Sequence, residues 1–177
     1  MILTLSDAIA INPSVTQSDL DAFEQSVRAL THNNFQEINT RGYELTLTGQ
    51  IITIGRGSTD GIRVGNTVEI NDTKFNNGLY VVKTLTSNTI EVEGSVAFIN
   101  ESTTEGIVTL IKYPADIHKG VKKLIEYDLN MGGKTGIKSE TISRMSVTYY
   151  DVNAAENVDG YPAALLSFLK KYKKMRW

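Results

Sequence analysis

Hydrophobic positions along the chain change their period twice. From Thr16 to about Asn34 they recur at helical spacing, with Leu20, Phe23, Val27 and Leu30 on one face and Thr16 or Ser18 as the N-cap. Asp19 and Asp21 fall in the first turn, where a carboxylate suits the helix dipole. A shorter amphipathic turn, Ser6 to Ile11, precedes it with Ser6 as cap and closes at Asn12-Pro13, because a residue before proline avoids the helical region. From Tyr43 to Lys112 the texture becomes short runs of Thr, Ile and Val broken by Gly, Asn and Asp. That pattern predicts strands over about 43–54, 67–71, 78–85, 88–93 and 106–112. The connections fall in Gly55 to Gly65, Asn76-Asn77-Gly78, Ser87-Asn88 and Asn100 to Glu105. Five short strands predict a small antiparallel barrel or sandwich.

Helical spacing returns at Pro114. Ile117, Val121, Leu124, Ile125 and Leu129 line one face, Lys119, Lys122 and Lys123 another, and Gly132-Gly133 end the helix. In Ser139 to Tyr150, Ser143, Met145, Val147 and Tyr149 alternate with Ile142, Arg144, Ser146, Thr148 and Tyr150, which predicts a strand or an extended arm. A last helix is expected after Asp159-Gly160, with Pro162 in its first turn and Leu165, Leu166, Leu169 and Tyr172 on its apolar face. It ends in Lys170, Lys171, Lys173, Lys174 and Arg176, cations suited to a helix carboxyl end. The fold class expected is therefore α+β. A small helical-bundle core, 1–42 and 113–177, is interrupted by an inserted antiparallel β barrel or sandwich-like subdomain, 43–112, and carries an extended arm at about 134–150.

Composition narrows the setting. The 177 residues are 41% hydrophobic and 21% charged, the balance of an ordinary globular chain. The absence of cysteine excludes a disulfide framework, a thiolate zinc site and a cysteine nucleophile, and agrees with assembly in a reducing cytoplasm. No basic residue precedes the first apolar stretch, so the start does not read as a signal peptide, and no apolar run approaches the ~18 residues of a membrane span. The net charge of -2 is uneven: residues 1–112 hold 7 basic and 13 acidic groups and residues 113–177 hold 11 and 7, giving -6 and +4. Different partners are expected for the two parts.

Candidate chemistry is sparse. Asn130-Met-Gly-Gly-Lys-Thr-Gly136 contains the Gly-Lys-Thr of a phosphate-binding loop, but Asp128 stands where that loop needs its first glycine, and a helix precedes it instead of a strand. His32 and His118 have no ligand-type residue at i+3 or i+4, and Asp19, Asp21, Asp72 and Asp116 read as caps and turn residues. The cluster Gly55 to Gly61 has the wrong order for a dinucleotide fingerprint, and no nucleophile elbow occurs. No catalytic, cofactor-binding or metal-binding residue is assigned, and the chain is not expected to be an enzyme.

The string Lys138-Ser-Glu-Thr-Ile-Ser-Arg-Met-Ser-Val-Thr-Tyr149, followed by Gly160-Tyr-Pro-Ala-Ala-Leu-Leu166 and a basic end, resembles the carboxyl-terminal signature of head-tail connector proteins of tailed bacteriophages. The helix from Thr16 to Phe35 with its Leu-Thr-His-Asn-Asn-Phe ending, and Tyr113-Pro-Ala-Asp-Ile117, resemble the other core segments of that family. The resemblance covers about 1–38 and 113–177. Residues 43–112 depart from the shortest members and look like a β insertion that some relatives carry.

The resemblance implies a structural protein of the virion neck, made in the host cytoplasm. Its copies would join as a homo-oligomeric ring, commonly twelve-fold, under the portal protein. The ring would extend the channel through which DNA passes and meet a stopper or tail-completion protein, with no cofactor and no membrane. An exposed strand invites pairing with another chain, so Ser139, Glu140, Ile142, Met145, Val147 and Tyr149 are the candidates for the subunit interface. Lys170, Lys171, Lys173, Lys174, Arg176 and Trp177 are the portal-docking candidates, by charge and family analogy. Two competitors stand beside this reading. One is a tail-completion or other virion protein built around the β domain. The other, less favoured, is a cell-wall hydrolase with a β binding module, which would need a convergent carboxylate pair in a deep cleft.

Overall fold

The computed structural model describes residues 1–94, 97–131 and 160–175, together with 139–142, 145–148 and 157–158. The chain gathers into two units, one formed by Asn34–Tyr113 with Met1, the other by Ile2–Asn33 and Pro114–Trp177. The protein is thus α+β.

The first unit is a closed antiparallel barrel of six strands: β1 (Gln36–Gly49), β2 (Ile51–Gly57), β3 (Thr67–Asn71), β4 (Gly78–Leu85), β5 (Thr89–Val92) and β6 (Phe98–Ile111). Their order is β1-β2-β5-β4-β3-β6, with β6 returning to β1. Alternation drives the closure. Leu45 and Leu47, Ile52 and Ile54, Val68 and Ile70, Ile90 and Val92, and Val108 and Leu110 are all buried in one core, two residues apart on each strand. A closed sheet leaves no strand edge open.

Strand boundaries differ from the sequence expectation at several points, and β2 runs on to Gly57 through residues expected to open a connection. The run 43–54 is two strands, because Gly49 at φ 61 turns the chain and Thr48 faces Ile51 across a two-residue loop, the turn length that suits a tight hairpin. β6 begins at Phe98, through residues expected to be a loop, since Glu101, Ser102 and Thr103 pair with Leu47, Thr46 and Leu45. β1 begins at Gln36, seven residues early. Gln36 pairs with Ile111, the Lys112 N–H donates to the Phe35 carbonyl at 2.9 Å, and the Phe35 and Tyr113 rings lie 4.8 Å apart. The barrel's first and last residues therefore meet.

In the second unit, α1 (Leu5–Ile9) is capped by Thr4, not Ser6: the Thr4 hydroxyl accepts from the Asp7 N–H at 3.2 Å. A capping box starts α2 (Gln17–Thr31), with the Thr16 N–H donating to Asp19 Oδ2 at 2.8 Å and the Asp19 N–H to Thr16 Oγ1 at 3.4 Å. The helix ends where His32 turns left-handed at φ 49. α3 spans Ala115–Met131; the expected terminator Gly132-Gly133 lies outside the described residues. Among the described residues no helix is long and apolar enough to cross a membrane.

The extended arm is a hairpin of two strands, β7 (Ser139–Ile142) and β8 (Met145–Thr148), with Ile142 opposite Met145 and Glu140 opposite Val147. A second short pair, β9 (Asn157–Val158) and β10 (Tyr161–Pro162), takes Pro162 out of the helical turn expected for it. Beyond β10 the expected α-helix is replaced by turns leading into a 3₁₀ helix, Ser167–Tyr172. The N–H groups of Leu165, Ser167 and Leu169 each reach back three residues, to Pro162, Ala164 and Leu166. At three residues per turn, side chains at i and i+3 eclipse. Leu166, Leu169 and Tyr172 therefore share one row, Phe168 and Lys171 another, and Lys170 and Lys173 a third.

Candidate functional site

Leu166 and Leu169, from the first of these rows, form part of the wall of a recess in the helical unit. A cavity of about 440 Å³ lies between α2, α3 and the segment after β10, and its apolar wall includes Phe23, Val27, Leu124, Leu166 and Leu169. Asn12, Asp19, Asp128 and Tyr161 contribute its polar groups. Its volume falls within the ~300–1,000 Å³ usual for ligand sites.

The two carboxylates differ in their surroundings. Asp19 serves the capping box: its Oδ2 accepts from the Thr16 N–H at 2.8 Å and the Thr16 hydroxyl at 2.7 Å, and these bonds hold its pKa below the usual carboxylate value. Asp128 is half-buried and accepts from the Tyr161 hydroxyl at 2.6 Å. Burial pushes the Asp128 carboxyl up against the opposing pull of that bond, and the charge of Asp19 adds to the upward shift. Tyr161 is also raised, first by burial and then by its bond to Asp128. The rings of Tyr127 and Phe23 flank Tyr161 at 5.8 and 6.3 Å between centroids.

Asp128 and Tyr161 escaped assignment from the sequence, though a signal was present. Ile117, Val121 and Leu124 continue at helical spacing to position 128, so Asp128 occupies the apolar stripe. Leu129, expected on that face, is 51% exposed instead. A carboxylate in an apolar stripe marks a desolvated group.

Among the subunit-interface candidates, Ser139, Glu140, Ile142, Met145 and Val147 all fall on the β7–β8 hairpin, while Tyr149 lies outside the described residues. Each strand of that two-stranded sheet has one side left unpaired within the sheet.

Of the portal-docking candidates, Lys170, Lys173 and Lys174 are exposed, and Arg176 and Trp177 lie outside the described residues. Lys171 is paired inside the unit. Its ammonium bonds to Asp116 Oδ2 and stands 5.2 Å from the Tyr172 ring centroid, while the Tyr172 hydroxyl donates to Asp116 Oδ1 at 2.6 Å. The Lys171 ammonium, with the Tyr172 hydroxyl second, holds the Asp116 carboxyl below its usual value. Beyond this clamp, the Lys174 N–H donates to the Thr31 carbonyl at 2.8 Å and meets one of the orphan acceptors of the α2 end.

His118 faces the Ile2 carbonyl through Nδ1, and His32 serves the end of α2. Among the described residues, no three or more His, Cys, Asp or Glu gather as a metal-binding group. Comparison with known proteins finds no family model and no curated protein that matches the chain.

Proposed function

We propose that the chain is a structural subunit of a phage neck: a ring-forming connector that sits under the portal, extends the DNA channel and joins the head to the tail. One observation carries this reading. The segments that resemble the connector family, about 1–38 and 113–177, collect into a single unit of Ile2–Asn33 and Pro114–Trp177, while the part that departs from the shortest members closes on itself as a barrel. An insertion into a helical core produces this division, with the barrel's ends adjacent where it enters and leaves.

Ring closure needs one surface of a subunit to meet a different surface of its neighbour. The β7–β8 hairpin, a sheet of only two strands, offers one such surface, and the exposed Lys170, Lys173 and Lys174 offer docking cations to the portal. The experiment is electron microscopy of the protein mixed with portal rings of its phage. A ring of copies seated on the portal, twelve in number, is the expected image, and a portal left bare at high protein concentration would end the connector reading.

A second reading, a hydrolase, draws on Asp19 and Asp128 lining one cavity. Against it, Asp19 Oδ2 accepts from the cap of α2 and Asp128 Oδ2 from the Tyr161 hydroxyl, which leaves neither carboxylate with both oxygens free for an acid–base pair. Cleavage of purified peptidoglycan by the wild type, lost in D128N, would favour it.

A further inference from the structure

We propose that the cavity between α2, α3 and the Tyr161–Leu169 segment is the receiving half of the joint between copies, taking a lysine side chain from the α3 flank of a second copy. The inference rests on the ring reading above and names its contact.

The chemistry of the recess sets the occupant. Two carboxylates, Asp19 and Asp128, line it with no lysine or arginine among the described residues of its walls, and the rest is mostly aliphatic and aromatic. A group that satisfies both is a cation on an apolar stem, the form of a lysine side chain. Burial and the Asp19 charge already raise the Asp128 pKa, and among the described residues lining the recess no cation compensates that carboxylate.

Asn12 points to a peptide as the carrier. It is 5% exposed, and its Oδ1 accepts from the Ser14 N–H at 3.1 Å and the Ser14 hydroxyl at 2.6 Å. Its Nδ2 meets no acceptor among the described residues, although Asn12 lines the same cavity. An amide donor on a residue that lines the cavity is available to an incoming acceptor, and a backbone carbonyl flanking an inserted lysine would meet it. A free amine would leave it unmet.

The unit supplies its own counterpart. Lys119 and Lys123 are exposed one turn apart on α3. Lys171 is held by Asp116, and Lys170 and Lys173 border a smaller recess that shares Leu30, Leu166 and Leu169 with the cavity. Lys174 follows directly and is tied through its N–H to the α2 end. Among the described residues, the α3 lysines thus form an exposed cationic pair set apart from both recesses. An acidic recess and a basic flank on one unit are the two unlike, complementary surfaces that a head-to-tail ring requires.

The test uses the full chain assembled on portal rings. Isotopically light and heavy protein are mixed, assembled and treated with a carbodiimide, and peptides joining Asp128 or Asp19 of one copy to Lys119 or Lys123 of another are read by mass spectrometry. In parallel, D128N, which keeps an acceptor for the Tyr161 hydroxyl, and the K119Q/K123Q double variant should each weaken assembly about tenfold or more, as loss of one member of a buried charge pair does. Neither should melt earlier than the wild type. Mixed-isotope links with both variants impaired would support the joint. If the wild type forms rings and D128N forms them equally well, or Asp128 couples only to portal lysines, the joint is wrong while the connector reading stands. If the wild type leaves the portal bare, both fall.

Discussion

The Phe168 ring lies over Gly120 so closely that a β-carbon there would overlap Cζ and the two adjacent ring carbons. α3 and the 3₁₀ helix approach each other through this missing side chain. Alanine in a helix interior ordinarily stabilises by about 1 kcal/mol over glycine. Here G120A must displace the ring, and forcing extra volume into a packed site costs about 1–3 kcal/mol. G120A should therefore lower stability in urea titrations of the wild type and raise it in an F168A background. The same sign in both backgrounds would show that the ring does not hold the glycine in place.

Gly49 is the opposite case, with nothing within 4 Å of a β-carbon placed there and a φ of 61. Any cost of substitution comes from the backbone, since a β-carbon in the left-handed region is disfavoured by roughly 1–2 kcal/mol. G49V should lose about that much, and G49N, which tolerates the conformation better, clearly less. Equal losses for the two variants, measured by thermal melting, would contradict the turn.

The residues around Gly49 show what the sequence made legible and what it did not. Leu45 and Leu47 face the core on odd positions, and Ile52 and Ile54 face it on even ones. That change of parity is the trace of a two-residue turn inside an apparently continuous run. α2 and α3 were readable because each places its apolar residues at the helical period with a cap or proline at the start. The 3₁₀ helix was not, because Leu166, Leu169 and Tyr172 at intervals of three fit a 3.6-residue period nearly as well over so short a stretch. In β6, Asn100–Glu105 carries turn-type residues on a strand, and its pairing with β1 overrides their local preference. The cavity was hidden because its carboxylates come from α2 and α3, far apart in sequence.

Asp116 and Asp128 should give opposite pH dependences. The Asp116 carboxyl is held below its ordinary 3.8 by Lys171 and Tyr172, so it adds stability above that value and loses it as pH falls through the lowered one. Asp128 is raised above 3.8 by burial, so its contribution is present below that value and fades as pH rises through the raised one. Urea midpoints followed from about pH 3 to 7 should show D116N falling further below the wild type as pH rises, and D128N gaining on it. A D128N curve parallel to the wild type would mean that burial does not perturb this carboxylate. A variant that is more stable yet fails to assemble would carry the usual mark of a site kept for function at the expense of the fold.

The barrel's closure also predicts its independence. Gln36 pairs with Ile111, and the Phe35 carbonyl accepts from the Lys112 N–H, so the chain enters and leaves the barrel on adjacent antiparallel strands, about 5 Å apart. A few residues span that gap, since each adds up to about 3.5 Å. Replacing residues 35–112 by a Gly-Ser linker of about four residues should then leave α2 and α3 folded, with a helical circular dichroism spectrum and a cooperative melt. The fragment 34–113 should fold alone, because its apolar core of thirteen buried residues is drawn from its own strands and the loop residue Ile62. L45D, which puts a charge among core residues that are fully buried, should melt the barrel within the whole chain while the helical signal persists to a separate, higher transition. Loss of both signals in one transition would show that the two units fold only together, and that the insertion has become part of the core it interrupts.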